Sequence, residues 1–439
     1  MRTLKMTGIL VVAVFLVLGT CGASENEWTY LGLAADSVQC VAVDLTNSQI
    51  VYVGALTGCW KTTDGGSSWS RPCEYDFPFK ELVMDPDVPD GVWGIWGLGS
   101  WSDGVWVTTN GGLDWNVSHW MYCGDALAMC AGNHDVLYAA SWNPDPPYAS
   151  GGIWRTTNHG SQWYGDWLDQ YSFRCVAVHP SDPDVAYAGC DGGTLFKTEN
   201  GGGLWTPLPI TSLPVRSLGI DSFEPNTVYA AIGAGSYSDG IYKTLDGGAS
   251  WDVALWWYKA SALALEWENP EVIYAGSDEA GVARSLDGGV FWEVINEGLT
   301  NQDLEYIAID PSDRRAVYAA TGGGVFRYEW EPAVGISLEP DSTLIHGGGT
   351  LSFRVSLCNH TDEWQTFWLL AHAFLPGGGS VPVERPVRMT MPPQTCRSVH
   401  PDLPVPMAAP IGEYRFRTYL GTPPSDAWDV ASFRFTIAP

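Results

Sequence analysis

The sequence predicts an all-β chain: a run of repeated four-stranded antiparallel units, followed by a smaller β-sandwich. Three observations carry this. An eight-residue string occurs six times at near-constant spacing. A hairpin pattern precedes each copy. The composition, with Gly 50, Trp 23 and only 16% charged residues, suits many short strands joined by tight turns.

The N-terminus comes first. In "MRTLKMTGILVVAVFLVLGTCGAS", Arg2 and Lys5 precede an apolar run from Ile9 to Leu18, and small residues follow. This pattern predicts a signal peptide over residues 1–23 with cleavage after Ala23. The run is too short for a comfortable membrane span. "LGTC" loosely resembles a bacterial lipobox, so a lipid anchor at Cys21 is the alternative, although Thr20 is unusual before such a cysteine. No later stretch is long and apolar enough to span a bilayer. The expected location is secreted or cell envelope. A formal charge of −28 disfavours nucleic acid and anionic lipid as partners.

The repeat follows. "TTDGGSSW" (Thr62 to Trp69) recurs as "TTNGGLDW" (Thr108 to Trp115), "TTNHGSQW" (Thr156 to Trp163) and "TENGGGLW" (Thr198 to Trp205). It returns as "TLDGGASW" (Thr244 to Trp251) and "SLDGGVFW" (Ser285 to Trp292), with the tryptophans 41 to 48 residues apart. The Asp or Asn (Asp64, Asn110, Asn158, Asn200, Asp246, Asp287) accepts backbone N–H groups in a tight turn, and glycine takes positive φ there without a steric cost. The Ser or Thr ends one strand, and the Trp opens the next and packs back over the turn. These six positions are structural clasps rather than a carboxylate site.

Upstream of each clasp lies another hairpin, such as "CVAVDLTNSQIVYVG", "CVAVHPSDPDVAYAG" and "IAIDPSDRRAVYAAT". Two strands there and two around the clasp make a four-stranded unit, the form of a propeller blade. The last copy, "VYAATGGGVFRYEW", lacks a clasp. "EWTYLGL" at residues 27–33 supplies the missing strand, since Trp28 stands 41 residues before Trp69. The prediction is a seven-bladed β-propeller over residues 24–332, closed by its N-terminal strand, which would remove an open sheet edge.

The S/T-x-D/N-x-G-x-x-W pattern resembles the Asp-box (BNR) propellers, a group with sialidases, xyloglucan-cleaving glycosidases, the sortilin ectodomain and photosystem II assembly factors of the Ycf48 type. The resemblance covers residues 27–330. It implies the propeller fold and leaves function open, because the group is functionally mixed. The arginine cluster and Arg-Ile-Pro motif of sialidases are absent from the sequence. Xyloglucan-cleaving members pair two propellers into one cleft, whereas one is present here. The Ycf48-type factors have the right blade count, but no comparable basic patch is visible.

From Ala333 the pattern changes to separate alternating strands, among them "TLSFRVSLCNHT", "TFWLLAHAFL" and "ASFRFTIAP". Residues 333–439 therefore read as a β-sandwich that resembles immunoglobulin-like or fibronectin-like modules. In an oxidising compartment the cysteines suggest disulfides. Cys59 with Cys73 and Cys175 with Cys190 flank hairpin turns, Cys123 and Cys130 are the remaining close pair, and Cys358 and Cys396 stand alone in the tail. Cys40 is left over as a free thiol. No CxxC or His-rich spacing is present, and neither metal nor cofactor is expected.

The clasps share one face of a propeller. Loops on the opposite face are rich in rings and carboxylates, as in "GLGSWSDG", "SWNPDPPYASGG", "SHWMYCGD", "YGDWLDQYS" and "LWWYKAS". The ligand-binding candidates are Trp101, Tyr122, Trp142, Trp167, Trp256 and Trp257, interleaved with Asp103, Asp125 and Asp169. Flat rings beside hydrogen-bond acceptors suit a sugar surface. The expected function is an exported binding or scaffolding protein for a glycan or another envelope or extracellular protein. The alternative is a glycoside hydrolase or polysaccharide lyase at the Trp-rich face. Such an enzyme needs two carboxylates about 5–10 Å apart, and the sequence picks out no pair and hence no catalytic residue.

Overall fold

The structure, a computed structural model, describes residues 15–17, 26–73, 78–97, 103–141, 150–169, 171–208, 210–376, 380–383, 386–422 and 426–438. Among these residues the chain is all-β, with no helix. It divides into two compact units. One comprises Glu27–Ser285 and Trp292–Glu329, and the other includes Leu286–Phe291 and Trp330–Pro439.

In the first unit, small antiparallel sheets follow one another along the chain. Their first strands are Val38–Val43, Phe79–Met84, Gly124–Met129, Phe173–Val178, Val215–Ile220, Ala260–Leu265 and Leu304–Ile309. Each first strand packs against the first strand of the next sheet, and Leu304–Ile309 packs against Val38–Val43. Second strands such as Val51–Ala55, Leu137–Ser141 and Val228–Ile232 are buried at every residue. Their composition, one tyrosine among aliphatic and small residues with Ala or Gly near the centre, explains this: small residues let neighbouring sheets approach from both sides. Gly276 is a case in point, since a Cβ there would lie 1.8 Å from Leu304 Cδ2 of the next sheet.

Most sheets carry four strands, as in Val215–Ile220, Val228–Ile232, Gly240–Thr244 and Asp252–Trp256. The sheet beginning at Val38 departs from the expected four. Among the described residues it has three strands, and a bridge between Lys61 and Ser70 stands where a fourth would begin. Pro72, two residues on, has no N–H with which to extend the ladder. The last sheet is completed from the other end of the chain. Trp28–Gly32 pairs antiparallel with Gly324–Glu329, Trp28 opposite Tyr328. Trp28 is buried, and its indole N–H donates to Ile295 O at 2.5 Å.

The recurrent turns are built alike. In the first, Thr62 Oγ1 donates to Asp64 Oδ1 at 2.7 Å and accepts from Gly66 N at 2.9 Å, while Ser68 N donates to Asp64 Oδ1 at 2.8 Å. Asn110, Asn158, Asn200 and Asp246 accept the equivalent backbone N–H from Asp114, Gln162, Leu204 and Ser250, and Asp287 accepts from Phe291. The hydroxyl and amide donors stabilise the charged carboxylate, holding Asp64 and Asp246 below the usual range. Trp69 fastens its turn to the N-terminal strand by donating from Nε1 to Leu31 O at 2.8 Å.

In the second unit, Val334–Pro340, Thr350–Asn359, Thr395–Val399 and Asp402–Pro404 belong to one sheet. Leu344–His346, Asp426–Ala438, Gly412–Thr422, Gln365–Phe374, Ser380–Pro382 and Val387–Met391 make the other. Leu351, Phe353, Phe367, Phe416, Phe433 and Phe435 share one core between them. Cys358 and Cys396 sit directly opposite on paired strands and are joined by a disulfide.

The other three expected disulfides are not formed. Cys59, Cys73, Cys130, Cys175 and Cys190 are buried free thiols, as is Cys40, and Cys123 is buried outside any disulfide. Cys123 and Cys130 flank the whole of strand Gly124–Met129, and a strand rises about 3.3 Å per residue, so closeness in sequence separates them in space. Cys175 pairs with Gly189 rather than Cys190, because the ladder shifts register at Phe173, and its Sγ faces Val215 O at 3.5 Å. Cys59 and Cys73 do share an apolar cluster, as thiols, and burial pushes the Cys59 thiol up to about 12.

Candidate functional site

A ring of polar side chains emerges where the first strands begin. In all seven first strands the ladder shifts register at the second residue. Such a bulge leaves one residue unpaired and re-aims its side chain. The seven bulge residues are Gln39, Lys80, Asp125, Arg174, Arg216, Ser261 and Glu305. The residue before each is buried, whereas the bulge residue is half-buried or exposed. This end of each sheet lies opposite the recurrent turns, which follow the far ends of the third strands.

The ring mixes charges that feel one another. Arg174 reaches Asp125 Oδ2 from Nη1 at 3.4 Å and Asp191 Oδ1 from Nε at 2.8 Å. Lys80 Nζ donates to Gln39 Oε1 at 2.6 Å. Burial raises the Asp125 carboxyl, against the pull of Arg174 and Lys80. Glu305 opens to solvent but is crowded by protein, and this desolvation, with the charges of Asp278 and Asp303, raises it too. Desolvation likewise raises Asp278.

One residue further in stands Glu81. Its Oε2 accepts Leu127 N at 2.6 Å. Desolvation, reinforced by the Asp125 charge, lifts its carboxyl to about 8 despite that bond and one from Tyr306. At neutral pH Glu81 therefore holds its proton. A neutral acid, an Arg-paired carboxylate and several cations around one mouth can bind polar groups from either side of charge. The same set also holds the kind of raised carboxyl that serves as a general acid.

The backbone of Tyr122, Trp167, Trp256 and Trp257 lies at or beside this end of the sheets. Trp256 ends strand Asp252–Trp256 opposite Gly240 and is 62% exposed. Trp257 and Tyr122 are half-buried. Trp167 pairs with Gly152, and Asp169 with Ser150, at the matching position of an earlier sheet. Trp101 and Trp142 lie outside the described residues. Asp103 is not a surface group: it is fully buried and its Oδ2 accepts Cys123 N at 3.2 Å, so it organises a loop. The ring joins Asp125 to groups the loop composition did not single out, namely Lys80, Glu81, Arg174, Arg216 and Glu305. Trp120 was also missed; it faces Gly104 in the register of Trp256 and is 54% exposed. A signal for the ring was present, since "VQCVAV", "FKELVM", "GDALAM", "FRCVAV", "VRSLGI", "ASALAL" and "LEYIAI" all carry a polar second residue.

Comparison with known proteins places the fold. No protein-family model matches the chain. Xyloglucanase Xgh74A of Acetivibrio thermocellus is 20% identical over an alignment covering 38% of this chain and 24% of the xyloglucanase. The chain thus spans about a quarter of that curated relative. Among solved structures, the GH74 enzyme of Niastella koreensis superposes with a TM-score of 0.55 at 17% identity, over 75% of this chain and 59% of that one. YCF48 bound to D1 peptide gives 0.52 at 16% identity, over 71% of this chain and 100% of that one. YCF48 from Cyanidioschyzon merolae gives 0.50 at 16% identity, over 69% and 98%. These likenesses show the fold, a β-propeller.

Proposed function

We propose that the chain is an exported Asp-box propeller of seven blades, closed by Trp28–Gly32 and followed by an immunoglobulin-like module, that binds a ligand without cleaving it. The ligand is a glycan or an envelope protein, held at the bulge ring with Trp256 and Trp120 as stacking surfaces on the rim. The observation that carries this is the state of the ring carboxylates. Asp125 is committed to Arg174, Glu81 is bonded to Leu127 N with its carboxyl raised by burial, and the exposed Glu305 has its carboxyl raised by desolvation and by the charges of Asp278 and Asp303. A retaining or inverting glycosidase needs a carboxylate available as nucleophile or base beside its acid. Export, through residues 1–23, and lipidation at Cys21 as its alternative belong to the same proposal.

The glycoside hydrolase reading has one observation in its favour, the Glu81 carboxyl raised to about 8, which suits a general acid. A glycan array on the purified mature protein, followed by incubation with each bound polysaccharide, separates the two. Binding without new reducing ends or unsaturated products supports the binder. Release of reducing ends that stops in Glu81→Gln replaces it with the hydrolase.

A further inference from the structure

On the face of the recurrent turns, one turn differs from its five siblings. Where the others have Gly65, Gly111, Gly201, Gly247 and Gly288 at positive φ, the third has His159 at φ 52°. A non-glycine residue in this region is strained. The neighbouring sheet explains the room for it. In the other sheets a second-strand tyrosine pairs across the ladder with a cation: Tyr52 with Lys61, Tyr138 with Arg155, Tyr187 with Lys197, Tyr229 with Lys243, Tyr274 with Arg284 and Tyr318 with Arg327. Beside Gly111, Gly201 and Gly247 that cation fills the space, so a Cβ on Gly111 would lie 2.7 Å from Lys61 Nζ. In the sheet preceding His159 the pair is Trp93 with Val107. The cation is missing, and the imidazole enters instead, edge-on to Trp93.

It does not enter alone. His159 Nε2 lies 2.8 Å from Asp85 Oδ2, whose side chain is 1% exposed. Asp87 completes a set whose three ligand atoms all lie within 4.8 Å of one another. Outer groups orient each member. Trp93 Nε1 donates to Asp85 Oδ2 at 2.9 Å and Asp87 N to Asp85 Oδ1 at 3.0 Å. His134 Nδ1 lies 3.0 Å from Asp87 Oδ2, and Asp135 Oδ1 lies 3.9 Å from His159 Nδ1. Metal-binding histidines turn one nitrogen to the metal and the other to an outer acceptor; His159 turns Nε2 to the ligand set, with Asp135 near Nδ1 but beyond hydrogen-bond distance.

We infer that Asp85, Asp87 and His159 form a divalent transition-metal site that staples two adjacent sheets of the propeller. One imidazole and two carboxylates match zinc or cobalt, with water completing the coordination. Linear spacing hides the site, because Asp85 and His159 are 74 residues apart.

The test titrates the full mature chain with Co²⁺, then Zn²⁺, following visible absorption and the melting temperature. One equivalent should bind with the weak visible bands of nitrogen and oxygen ligation, and binding to the folded state alone should raise the melting temperature. Asp85→Asn and Asp87→Asn should each weaken binding by about tenfold or more, on the scale of losing a metal-site group. His159→Gly gives the turn the residue of its siblings, so it should fold, with some stability lost where buried Asp85 loses a partner, and lose the metal response. Absence of binding, a sulfur-to-cobalt charge-transfer band from one of the buried thiols, or His159→Gly binding like the parent would each overturn the inference. In the first case His159 is a substitute for the missing Lys or Arg and no more.

Discussion

The two ends of the propeller sheets obey different rules on the same backbone. At one end, six turns repeat nearly the same eight residues, because each must give a hydroxyl, a carboxylate or amide oxygen, and a positive-φ glycine to the same hydrogen bonds. At the other, seven bulges repeat the same register shift with seven bulge residues of six kinds, from Lys80 to Glu305. Constant chemistry at a repeated geometry marks a structural task. Varied chemistry at a repeated geometry marks positions whose side chains the fold does not dictate, and there a ligand has room to set the choice. His159 sharpens the rule, since it is the departure in the constant set and it brings a metal-ligating group with it.

The largest break in this contrast comes from removing the constant scaffold. A chain starting at Ala34 loses the strand Trp28–Gly32 and with it the partner of Gly324–Glu329. An unpaired edge invites aggregation, and several kcal/mol out of a total stability on the order of 5–15 kcal/mol should go with it. A melting curve equal to that of the full chain would refute the role of this strand. Next is Trp115→Ala at a clasp. Trp115 is buried against Phe79, ring centroids 4.5 Å apart, and the loss should be about 3–5 kcal/mol by denaturant titration, with ligand binding by the surviving folded protein unchanged.

Within the ring, Glu81→Gln should act through pH. The folded carboxyl keeps its proton to about 8, while the unfolded one releases it near 4.5. Between those values the folded state binds more protons, so its stability falls as pH rises, by at most about 1.4 kcal/mol per pH unit. Below about 4.5 and above about 8 this contribution is flat. Glutamine removes the slope, and the parent minus variant difference measured from pH 5 to 8 reads it directly. The smallest effect on stability belongs to Trp256→Ala. Its ring is mostly exposed, touching Tyr242 edge-on at 6.4 Å, so the melting temperature should barely move. Binding of a polysaccharide should nonetheless weaken by roughly 1–3 kcal/mol, the scale of a hot-spot ring. If Trp256→Ala melts as badly as Trp115→Ala, the rim is core and the proposed surface fails.

The constant end was legible in the sequence because its bonds are local: Thr62 and Asp64 act within one turn, and Trp69 follows in the same string. So was the return of the N-terminal strand, because Trp28 keeps the spacing of the series. The ring was harder. Gln39, Lys80 and Arg174 stand in otherwise apolar strands, and only aligning the seven first strands against one another reveals a common polar position. Of the cysteine pairs, a full strand separates Cys123 from Cys130 and a bulge sets Cys175 opposite Gly189 rather than Cys190, whereas Cys59 and Cys73 do meet in one cluster, as the hairpin placement implied. Asp103 misled in the opposite way: a carboxylate in an aromatic loop was needed by the loop itself.

The pairing of Trp28 with Tyr328 spans 300 residues, and that has a temporal consequence. During synthesis, at about 5–20 residues per second, the first strand exists for on the order of 15 to 60 seconds before its partner is made. For that interval Trp28, Tyr30 and Leu31 are an apolar, unpaired β-segment attached to a growing row of sheets. Among the strands of these sheets it is thus the first made and the last paired, so the final sheet stays incomplete until nearly all of the repeats exist. A nascent chain stalled before Gly324 should therefore be protease-sensitive at residues 27–33 while its middle sheets are already protected.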